Sequence, residues 1–329
     1  MINQKQNMTK EFDTDTIEII DDYNSEQSIA NLSHAVVEST GITLDSEINL
    51  FDIVNIQDRI IYLQAFYKDL GRHEDDIKAN INCLKQIENE IPGISEFLEQ
   101  EHGVIDYGRY PAQLLLDQYL LKDDLESPYG ILVEPRIDRK KEYGGGTMHE
   151  HRDIYAKLYE QLREIGINLR ISEVGGKSDL AKQLLKFKNK YGSKHKLSFA
   201  IIDAHGSKDS IFFGTDKNDT KQKLMLDDLT GSGTKRALDG LFFAEGATLI
   251  LNSCSTGAKN GIAQIISNEF QGQVIAPNVD TAVGSMRVNQ RSDGSLIFHV
   301  VYAYGNGEED EDAYSSFSGG VGEWGEIEL

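Results

Sequence analysis

The sequence predicts an α/β domain, a mostly parallel central sheet between two helical layers, preceded by a helical region. Three observations carry this. Apolar runs of strand length (GILVEPRI, INLRISEVG, LSFAIIDAHG, ATLILNSC, GQVIAP) recur after residue 128. Segments with apolar residues at three- and four-residue spacing separate most of them. Strands apolar along their whole length are covered on both faces, and alternating strand and helix gives parallel pairing.

Taken in order, residues 1–28 are polar, acidic and rich in Asn, Gln and Asp, and read as a flexible arm. Residues 29–125 read as helical, with DRIIYLQAFYKDL and HEDDIKANINCLKQIENEI as the clearest segments. AFYKDLGRHEDDIKANINCLKQIENEIP resembles one tetratricopeptide-type hairpin through Ala65, Tyr67, Leu70 and Gly71, although Asp76 and Asn80 depart from that pattern. A solenoid needs stacked repeats, so the preferred reading is a helical extension packed on the α/β domain.

The α/β domain is expected over 128–304. Its first strand, GILVEPRI, leads to a loop containing Gly144, Gly145 and Gly146. The next helix places Ile154, Leu158, Leu162 and Ile165 on one face and stops at Gly166. The second helix, SDLAKQLLKFKNKYG, offers Ser178 as N-cap. DSIFFG and KLMLDDL form a hairpin excursion before a helix at 233–244, and SMRVNQ with SLIFHVVYAYG forms a terminal hairpin. Residues 305–329, with GEEDEDAYSSFSGG, read as an acidic Gly/Ser-containing tail.

Composition narrows the functional classes. Asp and Glu outnumber Lys and Arg by 54 to 33, a net charge of −21. That disfavours nucleic acid, whose phosphates need cationic side chains, and disfavours an anionic membrane surface. Only two cysteines, Cys83 and Cys254, are present, so neither a disulfide framework nor a four-cysteine zinc site can form. With no apolar leader at the amino terminus and no run long enough to cross a bilayer, a cytoplasmic chain is expected.

The chemistry concentrates where two strands end. One finishes in Ala204-His205-Gly206, the other in Asn252-Ser253-Cys254. Central parallel strands would bring His205 and Cys254 to the same sheet edge, where functional groups gather. An imidazole beside a thiol raises the nucleophilic fraction and can later protonate a leaving amine. Gly206 would admit a substrate backbone, and its N–H with that of Cys254 could hold a developing oxyanion.

This arrangement resembles the caspase-like (clan CD) cysteine peptidases over about residues 128–300. LILNSCSTG is similar to the corresponding run of their bacterial CHAT-type members. The 49 positions from His205 to Cys254 fit the family spacing. The resemblance implies a caspase-like three-layer fold, His205 and Cys254 as the dyad, no metal or organic cofactor, and a protein or peptide substrate. The caspase signature itself is absent, since Asn252-Ser253 precedes the cysteine, so a CHAT- or clostripain-like member is implied. It also implies that Asn252 and the loop with Asp280 line the primary specificity pocket, Asp280 favouring Lys or Arg at the cleavage position. Arg152 is the competing determinant, which would favour Asp.

Other residues stay open at this level. Asp203 could orient His205 or, by strand alternation, face a helix. His149-Glu150-His151 could suggest a metal, but no third and fourth ligands are evident and a solvated loop is preferred. Cys83 reads as structural, and the glycines at 231–233 lack the Lys-Ser/Thr of a phosphate loop. The expected function is a gated or self-processing cysteine endopeptidase whose helical region binds a regulatory protein or covers the active site. The alternatives are a silent scaffold for protein–protein interaction, or an esterase or acyltransferase on the same dyad.

Overall fold

The computed structural model describes residues 56–69, 72–136, 151–192, 194–214, 218–230, 243–269, 272–304, 309–310, 313–318 and 321–323. The expected arm at 1–28, the glycines at 144–146 and 231–233, His149 and Glu150 lie outside them. Most of the helix expected at 233–244 does too, and β7 has already begun at Phe243. The chain divides into two compact units, 1–66 and 67–329. The described part of the first is the start of helix α1 (Ile56–Asp69), where Tyr62 and Phe66 stack one turn apart. Residues 67–125 fall in the same unit as the sheet.

The second unit is built on a seven-stranded sheet. Strands β1 (Tyr129–Pro135), β2 (Asn168–Val174), β3 (Leu197–Asp203), β7 (Phe243–Asn252) and β8 (Gln273–Pro277) run parallel in the order β2-β1-β3-β7-β8. Strand β12 (Tyr314–Ser318) pairs antiparallel with β8, and β13 (Val321–Glu323) with β12. The expected tail thus supplies two strands to this sheet: YSSFS buries Ser315 and Phe317 on one face, while Ser316 and Ser318 alternate to the other. Strands β4 (His205–Ser207), β5 (Ser210–Phe212) and β6 (Lys223–Met225) form a small antiparallel sheet, and α7 (Leu226–Thr230) comes next. The terminal hairpin is β9 (Ala282–Gln290) with β10 (Leu296–Ala303), edged by β11 (Glu309–Asp310).

Alternation along the strands decides what covers each face. Ile131, Val133, Ala200, Ile202, Leu249, Leu251, Val274 and Ala276 meet Leu180, Phe187 and Tyr191 of α6 (Lys177–Tyr191). Ile262, Ala263 and Ile266 of α8 (Ile262–Glu269) complete that core. The opposite face carries the β9–β10 hairpin, with Phe199 and Phe298 rings 4.9 Å apart. It also carries α5 (Arg152–Glu164), whose Gln161 accepts the Val288 N–H at 2.9 Å. The helix α5 buries Tyr155, Leu158, Tyr159 and Leu162, a face turned one position from that expected with Ile154. Helix α6 starts one residue before Ser178, with Gly176 as its N-cap and no side-chain cap.

Helices α2 (Glu74–Glu90), α3 (Ile94–His102) and α4 (Ala112–Leu120) belong to this unit, and parts of α3 and α4 close the free edge of β2. Gln118 Nε2 donates to Leu169 O at 2.9 Å while its Oε1 accepts from Ile171 N at 3.2 Å, as a neighbouring strand would. The His102 ring pairs with Ile171 O through Nδ1 at 2.8 Å, and Glu173 Oε2 accepts the Ile105 N–H at 2.8 Å. An open edge invites pairing with another chain; here side chains occupy it.

His102 is buried, and burial pushes its pKa down to about 3. A histidine with a depressed folded pKa leaves the unfolded chain binding more protons below about pH 6.5, so stability falls as pH drops from there towards 3. The loss is ~1.4 kcal/mol per pH unit from this site. Urea unfolding at pH 7.5 and 5.0 is expected to show a smaller acid loss in His102→Gln than in wild type; equal losses would refute the assignment.

Candidate functional site

Strands β3 and β7 pair in parallel with Asp203 opposite Asn252, and the Ala204 N–H donates to Asn252 O at 3.2 Å. His205 lies two residues beyond Asp203, and Cys254 two beyond Asn252. The register therefore delivers both to the same level of neighbouring strand ends. Contact is made through Gly206: a Cβ placed there would lie 2.7 Å from the Ser253 carbonyl carbon and 2.8 Å from Cys254 O. Only a hydrogen fits, so β4 rests directly on the backbone that carries the thiol.

Cys254 is half-buried and begins a tight turn. Ser255 after it has φ 58°, a left-handed conformation that L residues adopt at a cost and that clusters at functional sites. Bonds to the β8 side hold the turn: Ser255 N–H to Val279 O at 2.9 Å, and Gly257 N–H to Pro277 O at 2.7 Å. The Ile262 N–H at the start of α8 donates to Lys208 O at the β4–β5 turn, tying the histidine-bearing hairpin to the cysteine loop.

The thiol donates to Thr281 O at 3.3 Å. Burial raises its pKa above that of an ordinary cysteine, and the Asp280 carboxylate adds to the rise. Asp280 is exposed and accepts the Ser255 hydroxyl at 2.5 Å, and the exposed Val279 precedes it. His205 is half-buried on β4. The Cys254 thiol is therefore held in its protonated form at neutral pH. Cys83 differs: it is buried on α2, points at Tyr110 O at 3.8 Å, and burial pushes its pKa up to about 11.

Asp203 takes the second of its two open roles, towards a helix. It accepts from Asn252 Nδ2 at 2.7 Å, the Tyr155 hydroxyl at 2.5 Å and His151 Nδ1 at 2.8 Å. Asn252, expected in the specificity pocket, is buried with its carboxamide held between Asp203 and the Val283 N–H, 2.9 Å from Oδ1. Arg152 is half-buried on the first turn of α5, where its charge acts on the Cys83 thiol. His205, Gly206, Cys254 and Asp280 thus gather at one edge, while Asp203 and Asn252 lie beneath them.

Sequence reasoning passed over His151 as part of a charged loop, and did not single out Tyr155, Thr281 or Ser255. The four-residue step from His151 to Tyr155 was the available signal, since it puts two polar rings on one helix face. Beyond this core, Glu134 and Glu173 carry polar groups at the ends of β1 and β2, opposite each other in register. Both are buried, and burial holds their pKa values above the usual carboxylate range against the pull of Arg109. Among the described residues no cluster of three or more His, Cys, Asp or Glu could hold a metal, and no helix is long and apolar enough to cross a membrane. No protein-family model matches the chain, and no curated protein sequence matches it.

Two substitutions test this geometry. Gly206→Ala is expected to push β4 off the Ser253–Cys254 backbone and slow alkylation of Cys254, read by intact mass, at least about tenfold; an unchanged rate would refute the contact. Asp280→Asn removes a negative charge beside the thiol and lowers its pKa. Alkylation by iodoacetamide at pH 7.5 should then rise roughly threefold, its pH profile moving to lower pH. A profile that stays in place would show that Asp280 does not act on the thiol.

Proposed function

We propose that the chain is a cysteine endopeptidase of the caspase-like type. The observation that supports this is the close seat of Gly206 on Ser253–Cys254, at the ends of two strands in register, because it lays the backbone of the His205–Gly206 segment against the one that carries the thiol. The Cys254 sulfur attacks the scissile carbonyl as His205 takes its proton. The amides of Gly206 and Cys254 receive the oxyanion. His205 returns the proton to the leaving amine, and a water, deprotonated by the same imidazole, hydrolyses the thioester.

Specificity is assigned to the exposed loop after β8. A long basic side chain can lay its alkyl stem on Val279 and its charged head on Asp280. Binding such a cation also offsets the carboxylate that holds the thiol protonated, so a basic substrate favours its own nucleophile. The resting thiol, bonded to Thr281 O, supports a gated enzyme awaiting a regulator or self-cleavage. Helices α3 and α4 bear on the β2 edge, so a regulator bound there would act through the sheet.

The test is intact-mass labelling with two peptidyl acyloxymethyl ketones, carrying Arg or Asp at the cleavage position, on wild type, Cys254→Ala and Cys83→Ala. An adduct with the Arg probe, lost only in Cys254→Ala, is expected. An adduct with the Asp probe alone would keep the peptidase and move recognition to Arg152. No Cys254 adduct with either probe, in intact or self-cleaved protein, would overturn the reading.

A further inference from the structure

The polar cluster beneath the dyad is more extensive than two strand ends need for their own pairing. Asp203 is fully buried at the end of β3 and receives three donors: Asn252 from β7, and His151 and Tyr155 from the start of α5. Asn252 Nδ2 also approaches Tyr155 Oη at 3.4 Å and His151 Nδ1 at 3.3 Å, closing the ring of contacts. On its other side Asn252 Oδ1 accepts from Val283 N, two residues after the carbonyl that receives the Cys254 thiol. Tyr302 of β10 donates to Leu251 O at 2.8 Å, fixing the same stretch of β7 from the hairpin layer. Three segments that carry site groups, the ends of β3 and β7 and the start of β9, thus meet at one carboxylate and one carboxamide.

We propose that Asp203 and Asn252 are positioning residues that set the separation of His205 from Cys254, with His151 and Tyr155 holding Asp203 in place. The proposal rests on the peptidase reading. Neither side chain is required to touch substrate. Each lies two residues before a dyad member, so their 2.7 Å bond is a cross-brace between the two strands whose tips react. A bond to a buried carboxylate is among the stronger protein hydrogen bonds. The geometry it controls is sensitive, because an ångström of displacement at reacting atoms costs on the order of 100-fold. Asn252 also fits as an amide: it must donate to Asp203 and accept from Val283 at once, which neither a carboxylate nor an apolar residue can do.

The chemistry provides a diagnostic. In Asn252→Asp two buried carboxylates face each other, and the bond survives only while they share a proton. The swap Asp203→Asn/Asn252→Asp restores an amide–carboxylate pair with the partners exchanged. Peptide hydrolysis and iodoacetamide alkylation of Cys254 are to be measured from pH 5 to 8.5 for wild type, Asn252→Asp, Asn252→Ala and the swap, with thermal midpoints to separate loss of fold. At pH 7.5, Asn252→Asp is expected to lose on the order of 10- to 100-fold in kcat with little change in KM. It should recover towards acid pH, whereas Asn252→Ala should not. The swap should regain more than additive singles predict, and alkylation of Cys254 should show the same order.

Wild-type hydrolysis with variant kcat values within about twofold, or a swap no better than its singles, would overturn the brace and leave the peptidase standing. The alkylation pattern without hydrolysis by wild type would overturn the peptidase and leave the brace.

Discussion

Three buried carboxylates, Glu173, Glu134 and Asp203, stand side by side across the ends of β2, β1 and β3, and much of the molecule is organised around satisfying them. Burying an ionised acid is costly unless it is paired and hydrogen-bonded. The first two are served from the helical region. Arg109, itself fully buried, reaches Glu134 at 3.4 Å and Asp106 at 3.0 Å, and the Tyr110 hydroxyl lies within hydrogen-bond distance of both glutamates, at 3.0 and 3.2 Å. The third is served from α5 and β7. Removing one partner from such a set is more damaging than never having built it, because it leaves a charge stranded. The helices before residue 128 are in this sense part of the sheet's chemistry.

The same row explains why the site sits where it does. In a parallel sheet the strand ends point their next residues out of the layer, and whatever anchors the last internal residue fixes where the first external one begins. At β3 and β7 the anchors are Asp203 and Asn252, and the external residues are His205 and Cys254. Polar groups anchor more specifically than apolar ones here, since each demands a direction as well as a contact. The thiol is meanwhile held in its protonated form by burial and by Asp280. The protonated state of the thiol is therefore set by its burial first and by the exposed loop second.

The parallel strands were legible because their apolar runs are uninterrupted, and the two reactive strand ends because His205 and Cys254 come directly after those runs. Alternation could say that Asp203 has a face but not which layer covers it, so its two roles stayed open until α5 was placed. The buried face of α5 was misread for the same reason: Ile154 is the more apolar choice, but Tyr155 brings the hydroxyl that Asp203 needs. Strand β12 was hidden by its serines, which suit loops as well as an alternating edge. Arg109, Glu134 and Glu173 carry no signal one at a time; only pairing across 25 or more positions reveals them as mutual partners.

The side-chain seal on β2 bears on how the protein can be handled as a polypeptide. Composition changes near Ser127-Pro128, which makes that point an inviting place to divide the chain. A fragment beginning there would lose Gln118 and His102, baring Leu169 O, Ile171 N and Ile171 O along a strand edge, and would leave Glu134 and Glu173 without Arg109. Such a fragment has an adhesive margin and two buried acids without their cation at once. It would be recovered as aggregate for reasons unrelated to His205 and Cys254.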